Sequence, residues 1–180
     1  MCMEKSPWEK AIEFHGHACP GLAMGYKAVE AALGILGYAR DVDEEMVAVV
    51  ENDSCSVDAI QSVLGCTAGK GNLIFRNNGK HVYTIGRRNG KAVRIALKYD
   101  VHAGAKPGAT KEERMHGILN AGVNELFDIR EVAIELPKKA VIFKSIQCSC
   151  CGEGVMEPKA RLRDGKIVCP DCFEDYNRGW

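Results

Sequence analysis

Near the C-terminus stand two pairs of cysteines, Cys148-Ser-Cys-Cys151 and Cys169-Pro-Asp-Cys172, separated by 17 residues. Two thiolates three positions apart on a tight turn can face one ion, and two such turns complete the tetrahedron that zinc prefers. Cys148, Cys151, Cys169 and Cys172 are therefore expected to hold one structural Zn2+, with Gly152 and Gly165 placed for the tight turns. Cys150 could replace Cys148 or stand by; the spacing favours a bystander. A module of about 37 residues buries little core, so metal binding would supply much of its folding free energy.

A second constellation lies upstream. His15, His17 and Cys19 fall within five residues, and Cys19 precedes Pro20. That thiol would cap a helix, where partial positive charge favours thiolate. Cys55 stands before Ser56-Val57-Asp58 in the same relation to a further helix, and Asp58 follows on its face. Cys66 comes next, in Gly65-Cys66-Thr67-Ala68-Gly69-Lys70-Gly71-Asn72. Two histidines, two or three cysteines and an aspartate suit a soft or borderline divalent metal if the fold brings them together. The alternative is ordinary packing of His15, Cys55 and Cys66. The glycine-rich stretch is a poor phosphate loop. Three residues stand between its glycines instead of four, and Gly71 replaces the magnesium-holding Ser/Thr.

The elements that would position these residues follow from pattern. Ser6-Pro7-Trp8-Glu9 reads as a capping box opening a helix. Pro20 opens a second, with Leu22, Tyr26, Val29, Leu33 and Leu36 at helical spacing, weakened at Gly34 and Gly37. Met46–Val50 is a buried strand, and Cys55–Leu64 a third helix after a polar break at Glu51–Ser54. Segments 72–75, 81–87 and 91–98 read as strands, with turns at Asn77-Asn78-Gly79 and Asn89-Gly90. Thr110-Lys111-Glu112-Glu113 is a second capping box, opening a helix expected to reach Phe127. A last core strand is expected at 131–136, an optional edge strand at 141–143 and a terminal helix at 173–176. The class is α+β: a mixed or antiparallel sheet core with flanking helices, plus a small treble-clef-like zinc finger. The boundary is expected to divide residues 1–143 from 144–180.

Composition narrows the partners. The 180 residues carry 24 basic and 24 acidic groups, so bulk charge gives no support to nucleic-acid or membrane binding. The zinc module itself mixes Lys159, Arg161, Arg163 and Lys166 with Glu153, Glu157, Asp164 and Asp171, which is not a basic patch. No apolar run reaches the roughly 20 residues of a membrane helix. The N-terminal segment has no signal-peptide core. A cytoplasmic protein is expected. Nine cysteines in a reducing compartment point to metal ligands or reactive thiols rather than disulfides.

The motifs Phe14-His15-Gly16-His17-Ala18-Cys19-Pro20-Gly21-Leu22-Ala23-Met24-Gly25 and Cys55-Ser-Val-Asp58-Ala59-Ile60-Gln61, the latter followed by Gly65–Leu73, resemble the two signatures of the formylmethanofuran dehydrogenase E-subunit family. The resemblance spans about residues 8–136. It implies an α+β core and an intertwined homodimer. It also implies a second divalent metal in the core, held by His17, Cys19 and Cys55, with His15, Asp58 and Cys66 behind them. Some members carry a C-terminal zinc finger, as this chain does. The expected role is an accessory or regulatory metal-binding protein linked to molybdenum or tungsten oxidoreductase subunits of one-carbon metabolism, the finger serving docking or dimerisation. The competing readings are an enzyme using the core metal or a thiolate, and a zinc-finger nucleic-acid binder.

Overall fold

A computed structural model describes residues 4–37, 39–88, 90–99, 101, 108–133 and 135–176. The chain divides into two units, Met1–Ala140 and Val141–Trp180. Turn residue Asn89 lies outside the described residues.

The first unit opens with helix α1 (Pro7–His15), started by the Ser6–Glu9 capping box and ended by Gly16 at φ 92°. Helix α2 (Pro20–Leu36) follows, with Cys19 as its N-cap. Strand β1 (Met46–Val50) leads to the short helix α3 (Ser56–Ala59), which continues as a π turn over Ile60–Leu64. Then come β2 (Leu73–Phe75), β3 (Val82–Arg87), β4 (Ala92–Leu97), α4 (Lys111–Asn120), α5 (Val123–Leu126) and β5 (Phe127–Val132).

The sheet order is β2-β1-β3-β4-β5. β1 and β2 run parallel, because a crossover of residues 51–72 with a helix in it separates them. All other pairings are antiparallel. The Asn77-Asn78-Gly79 turn therefore closes no hairpin between β2 and β3; β1 lies between them. Met46, Ala48 and Val50 of β1 alternate onto the face that meets Tyr83, Ile85, Val93 and Ile95. On this face α2 packs its small residues, Ala23, Ala28, Ala31 and Ala32.

Three expectations need correction here. The helix from Thr110 breaks at Ala121 and Gly122, whose backbones are extended (ψ 146° and 144°). The last core strand consequently begins at Phe127, where the chain turns extended and pairs with Leu97, and it ends at Val132. Residues 141–143 form no strand.

The second unit holds two hairpins, β6 (Ser145–Gln147) with β7 (Gly154–Met156) and β8 (Arg161–Arg163) with β9 (Lys166–Val168). Asp164 (φ 50°) and Gly165 (φ 74°) make the second turn, the left-handed pair that an Asp-Gly hairpin needs. The expected helix at 173–176 does not form; a 3-10 turn, Pro170–Cys172, ends at the extended Phe173.

Candidate functional site

The zinc knuckles sit on this two-hairpin frame. The sulfurs of Cys148, Cys151, Cys169 and Cys172 all lie within 4.8 Å of one another. Zinc–sulfur bonds of ~2.3 Å in a tetrahedron put sulfurs roughly 3.8 Å apart; Cys151 Sγ and Cys169 Sγ are 3.9 Å apart. The Cys148 sulfur accepts the amides of Cys150 (3.4 Å) and Cys169 (3.3 Å). Backbone amides, chiefly that of Cys151 and then Cys169, pull its pKa down to about 6. Crowding against Cys169, and then Cys150, drives the Cys172 thiol the other way. Four thiols this close cannot all ionise without a cation among them. Cys150 is exposed on the first knuckle and outside the four-sulfur group. Donor type, number and spacing fit zinc.

The upstream constellation is assembled by three helix ends. Gly16 stops α1 just after His15, and a short link carries His17 to Cys19, whose sulfur accepts the Leu22 amide at 3.3 Å. The donor atoms of His15, His17 and Cys19 lie within 4.8 Å of one another. The two imidazoles are tilted with centroids 4.6 Å apart. His15 is oriented from both sides: Nδ1 lies 2.7 Å from Asp58 Oδ2, and Nε2 lies 3.7 Å from Cys19 Sγ. A carboxylate on the far nitrogen fixes which imidazole nitrogen can face a metal. Gln61 Nε2 donates to the other oxygen of Asp58 at 3.3 Å.

Cys55 approaches from α3. A Cβ built on Gly21 would stand 3.1 Å from Cys55 Cβ, 3.8 Å from its sulfur and 4.0 Å from the Cys19 sulfur. Gly21 thus leaves the space in which the two thiols meet. Burial raises the Cys55 pKa, and the neighbouring Cys19 raises it further. Two imidazoles and a thiolate, with a second thiol beside them, suit a borderline divalent ion.

Cys66 is elsewhere. It is fully buried in the core, and burial, then Asp41, pushes its thiol up to about 12. The glycine-rich loop around it is tied down: Asn72 accepts the Thr67 amide at 2.9 Å and donates to Asp41 at 2.9 Å. Lys70 Nζ is spent on Asp41 Oδ2 (2.6 Å) and the Asp43 carbonyl (2.5 Å), which leaves it no role with phosphate.

Two features go beyond the residues singled out from the pattern. The polar break before α3 is a hydrogen-bond hub: buried Asn52 accepts from the Ser54 amide (3.2 Å), Ser54 Oγ (2.8 Å) and Ser56 Oγ (3.1 Å), and donates to the Lys80 carbonyl (2.9 Å). It shapes the turn that presents Cys55. The second is a cleft of about 350 Å³ whose lining includes His17 and Cys19 on one side and Lys111, Glu112 and Met115 of α4 on the other. The Asn-x-Ser-x-Ser spacing is the one local signal for the hub; nothing local signals the cleft.

An α+β core presenting a His/Cys donor group, followed by a four-cysteine finger, defines the class of protein. Residues 14–136 match the family model described as FmdE, molybdenum formylmethanofuran dehydrogenase operon. Residues 142–178 match the prokaryotic dksA/traR C4-type zinc finger. The chain belongs to the FmdE family, and its C-terminal unit is a C4 zinc finger that holds a structural zinc. The crystal structure of a tungsten formylmethanofuran dehydrogenase FmdE-like protein from Syntrophus aciditrophicus has the same fold: TM-score 0.69, 23% identity, covering 91% of this chain and 88% of that one. A probable S-adenosyl-L-methionine-binding protein of Archaeoglobus fulgidus is 30% identical over 93% of this chain and 52% of its own length. This chain spans about half the length of that curated relative. Among the described residues no helix is long and apolar enough to cross a membrane.

Proposed function

We propose that the core binds a second divalent metal through His15, His17 and Cys19, with Cys55 beside them, and that the protein is an accessory or regulatory partner of a molybdenum or tungsten oxidoreductase of one-carbon metabolism. The observation that carries the metal reading is the convergence of three donor atoms within 4.8 Å, with Asp58 bonded to the far nitrogen of His15. Packing histidines do not need a carboxylate on one nitrogen and a thiol at the other. His15, His17 and Cys19 would hold such an ion, which would supply Lewis acidity when bound. The accessory role is supported by the family's description and by the name of the structural relative. The finger then serves as a docking or homodimerisation element.

Elemental analysis of wild type and His17→Ala/Cys19→Ser tests the metal. Two metals per chain in wild type and one in the variant uphold it; one in both removes it. Co-purification with the oxidoreductase subunits, and sedimentation for a homodimer, test the partners.

A second reading follows the name of the archaeal relative: the cleft beside Cys19 receives S-adenosyl-L-methionine. The cleft, about 350 Å³ with Lys111 and Glu112 at its rim, is the observation in its favour. Equilibrium dialysis with labelled S-adenosyl-L-methionine decides it, and retention no higher than a buffer blank removes it.

A further inference from the structure

The cleft in front of His17 and Cys19 has an unusual pair at its rim. Lys111 and Glu112 are adjacent in sequence, opposite in charge, and both line it. They occupy the first turn of α4, which the Thr110–Glu113 capping box holds in place. Glu112 suits a helix N-terminus; Lys111 does not, since the helix dipole disfavours a cation there. Among the described residues Lys111 has no ion-pair partner. Glu112 lies 3.9 Å from His116 Nε2, with both side chains more than half exposed. A pair that open holds neither group. Both charges are therefore available to a ligand.

That combination selects. A simple anion would satisfy Lys111 and meet Glu112 unpaired, and a simple cation would do the reverse. A ligand carrying a carboxylate and an ammonium on one carbon answers both. Met115, with Pro20 and Ala18, gives the cleft an apolar wall for the rest of such a ligand. The volume, about 350 Å³, lies in the range of small-molecule sites. His17 and Cys19 line the same cleft, and Cys55 is not among its lining residues.

We propose that this cleft binds an α-amino-acid group, its carboxylate on Lys111 and its ammonium on Glu112, in front of the core metal position. The metal reading above concerns His17 and Cys19, which line this cleft; the two charges of α4 stand independently of it. The group could be a free amino acid or the end of a larger molecule.

The test is titration calorimetry on the full-length protein of known metal content, with L-methionine as probe. Saturable binding with one site per chain is expected. Lys111→Met should weaken it about tenfold, the loss of one charge-assisted contact. Glu112→Gln should weaken it too, and N-acetyl-L-methionine and acetate should bind at least about tenfold more weakly. Both substitutions are at exposed positions, so folding is not at stake. S-adenosyl-L-homocysteine separates the sources. Affinity well above that of L-methionine assigns the end of a larger ligand, and equal affinity assigns a free amino acid. No saturable heat at about 10 mM, undiminished binding by Lys111→Met, or acetate binding as tightly as L-methionine overturns the proposal. Two metals per chain without L-methionine binding would leave the metal reading standing alone. One metal per chain with Lys111-dependent binding would remove the metal reading and keep this one.

Discussion

Gly25 is where α2 meets α3, and its substitution by alanine offers a sharp test of how the core is held. A Cβ at Gly25 would overlap the Ser56 carbonyl oxygen and stand 2.7 Å from the carbonyl carbon and Cα of Ser56. These are backbone atoms, which no rotamer change can move aside. Ordinary carbon contact is about 3.5 Å, so against the 2.7 Å available to the two carbons the helices must part by at least about 0.8 Å. A gap of that size forfeits a quarter to a half of each dispersion contact across it. Overpacking of this kind costs about 1–3 kcal/mol. With rigid atoms on both sides we expect the upper end, about 3 kcal/mol, lowering Tm by about 6–12 °C. Gly34, in the same helix, is exposed and would present a Cβ to open space. Gly34→Ala should stabilise by about 0.5–1 kcal/mol through helix propensity alone. Urea unfolding of the two variants measures both. A Gly25→Ala midpoint equal to that of Gly34→Ala would refute the close-approach reasoning.

Other consequences follow from the buried groups. Asn52→Ala removes the acceptor of three hydrogen bonds around Ser54 and Ser56, and one of the two donors to the Lys80 carbonyl, which keeps the Val82 amide; about 2–4 kcal/mol of stability should go, and a loss under about 1 kcal/mol in urea titration would count against the hub. Burial holds the Cys66 thiol neutral up to about 12 against an ordinary 9.0. The unfolded chain ionises first, so the stability this group contributes is intact below pH 9 and lost as pH rises towards 12, about 4 kcal/mol in all. Tyr83, raised by burial from 10.0 to about 12, adds a loss of the same sign. Cys66→Ala should therefore flatten the alkaline limb of a stability–pH curve, and an unchanged slope between pH 9 and 12 would contradict the assignment. Chelation of zinc, or Cys169→Ser, should abolish amide-exchange protection in β6–β9; protection that survives metal loss would show that the hairpins fold without it.

The elements nearest the chemistry are the most legible. The Ser6 and Thr110 capping boxes, the Cys19-Pro20 helix start and the β3–β4 hairpin each follow from side chains within a few positions of one another. Where pattern misleads, a longer-range pairing decides. The helix from Thr110 reads on to Phe127 because Gly117, Ala121 and Gly122 give weak local signals, whereas the ladder to β4 requires an extended chain from Phe127 onwards. The Asn-Gly signal at residues 78–79 names a turn correctly but not its partners, since the crossover through α3 inserts β1 between β2 and β3.

The candidate metal centres divide in the same way. By itself the sequence named the two zinc knuckles and the grouping of His15, His17 and Cys19 within five residues, because a turn of three or four residues is enough to bring the members of each short group near one another. Only the tertiary structure decided that Asp58 bonds His15 from 43 residues away, that Gly21 makes room for Cys55 beside Cys19, and that Cys66 belongs to the core. Those are matters of how two helices cross and which face of the sheet they cover. Spacing along a chain carries no information about them; packing of atoms from distant segments does.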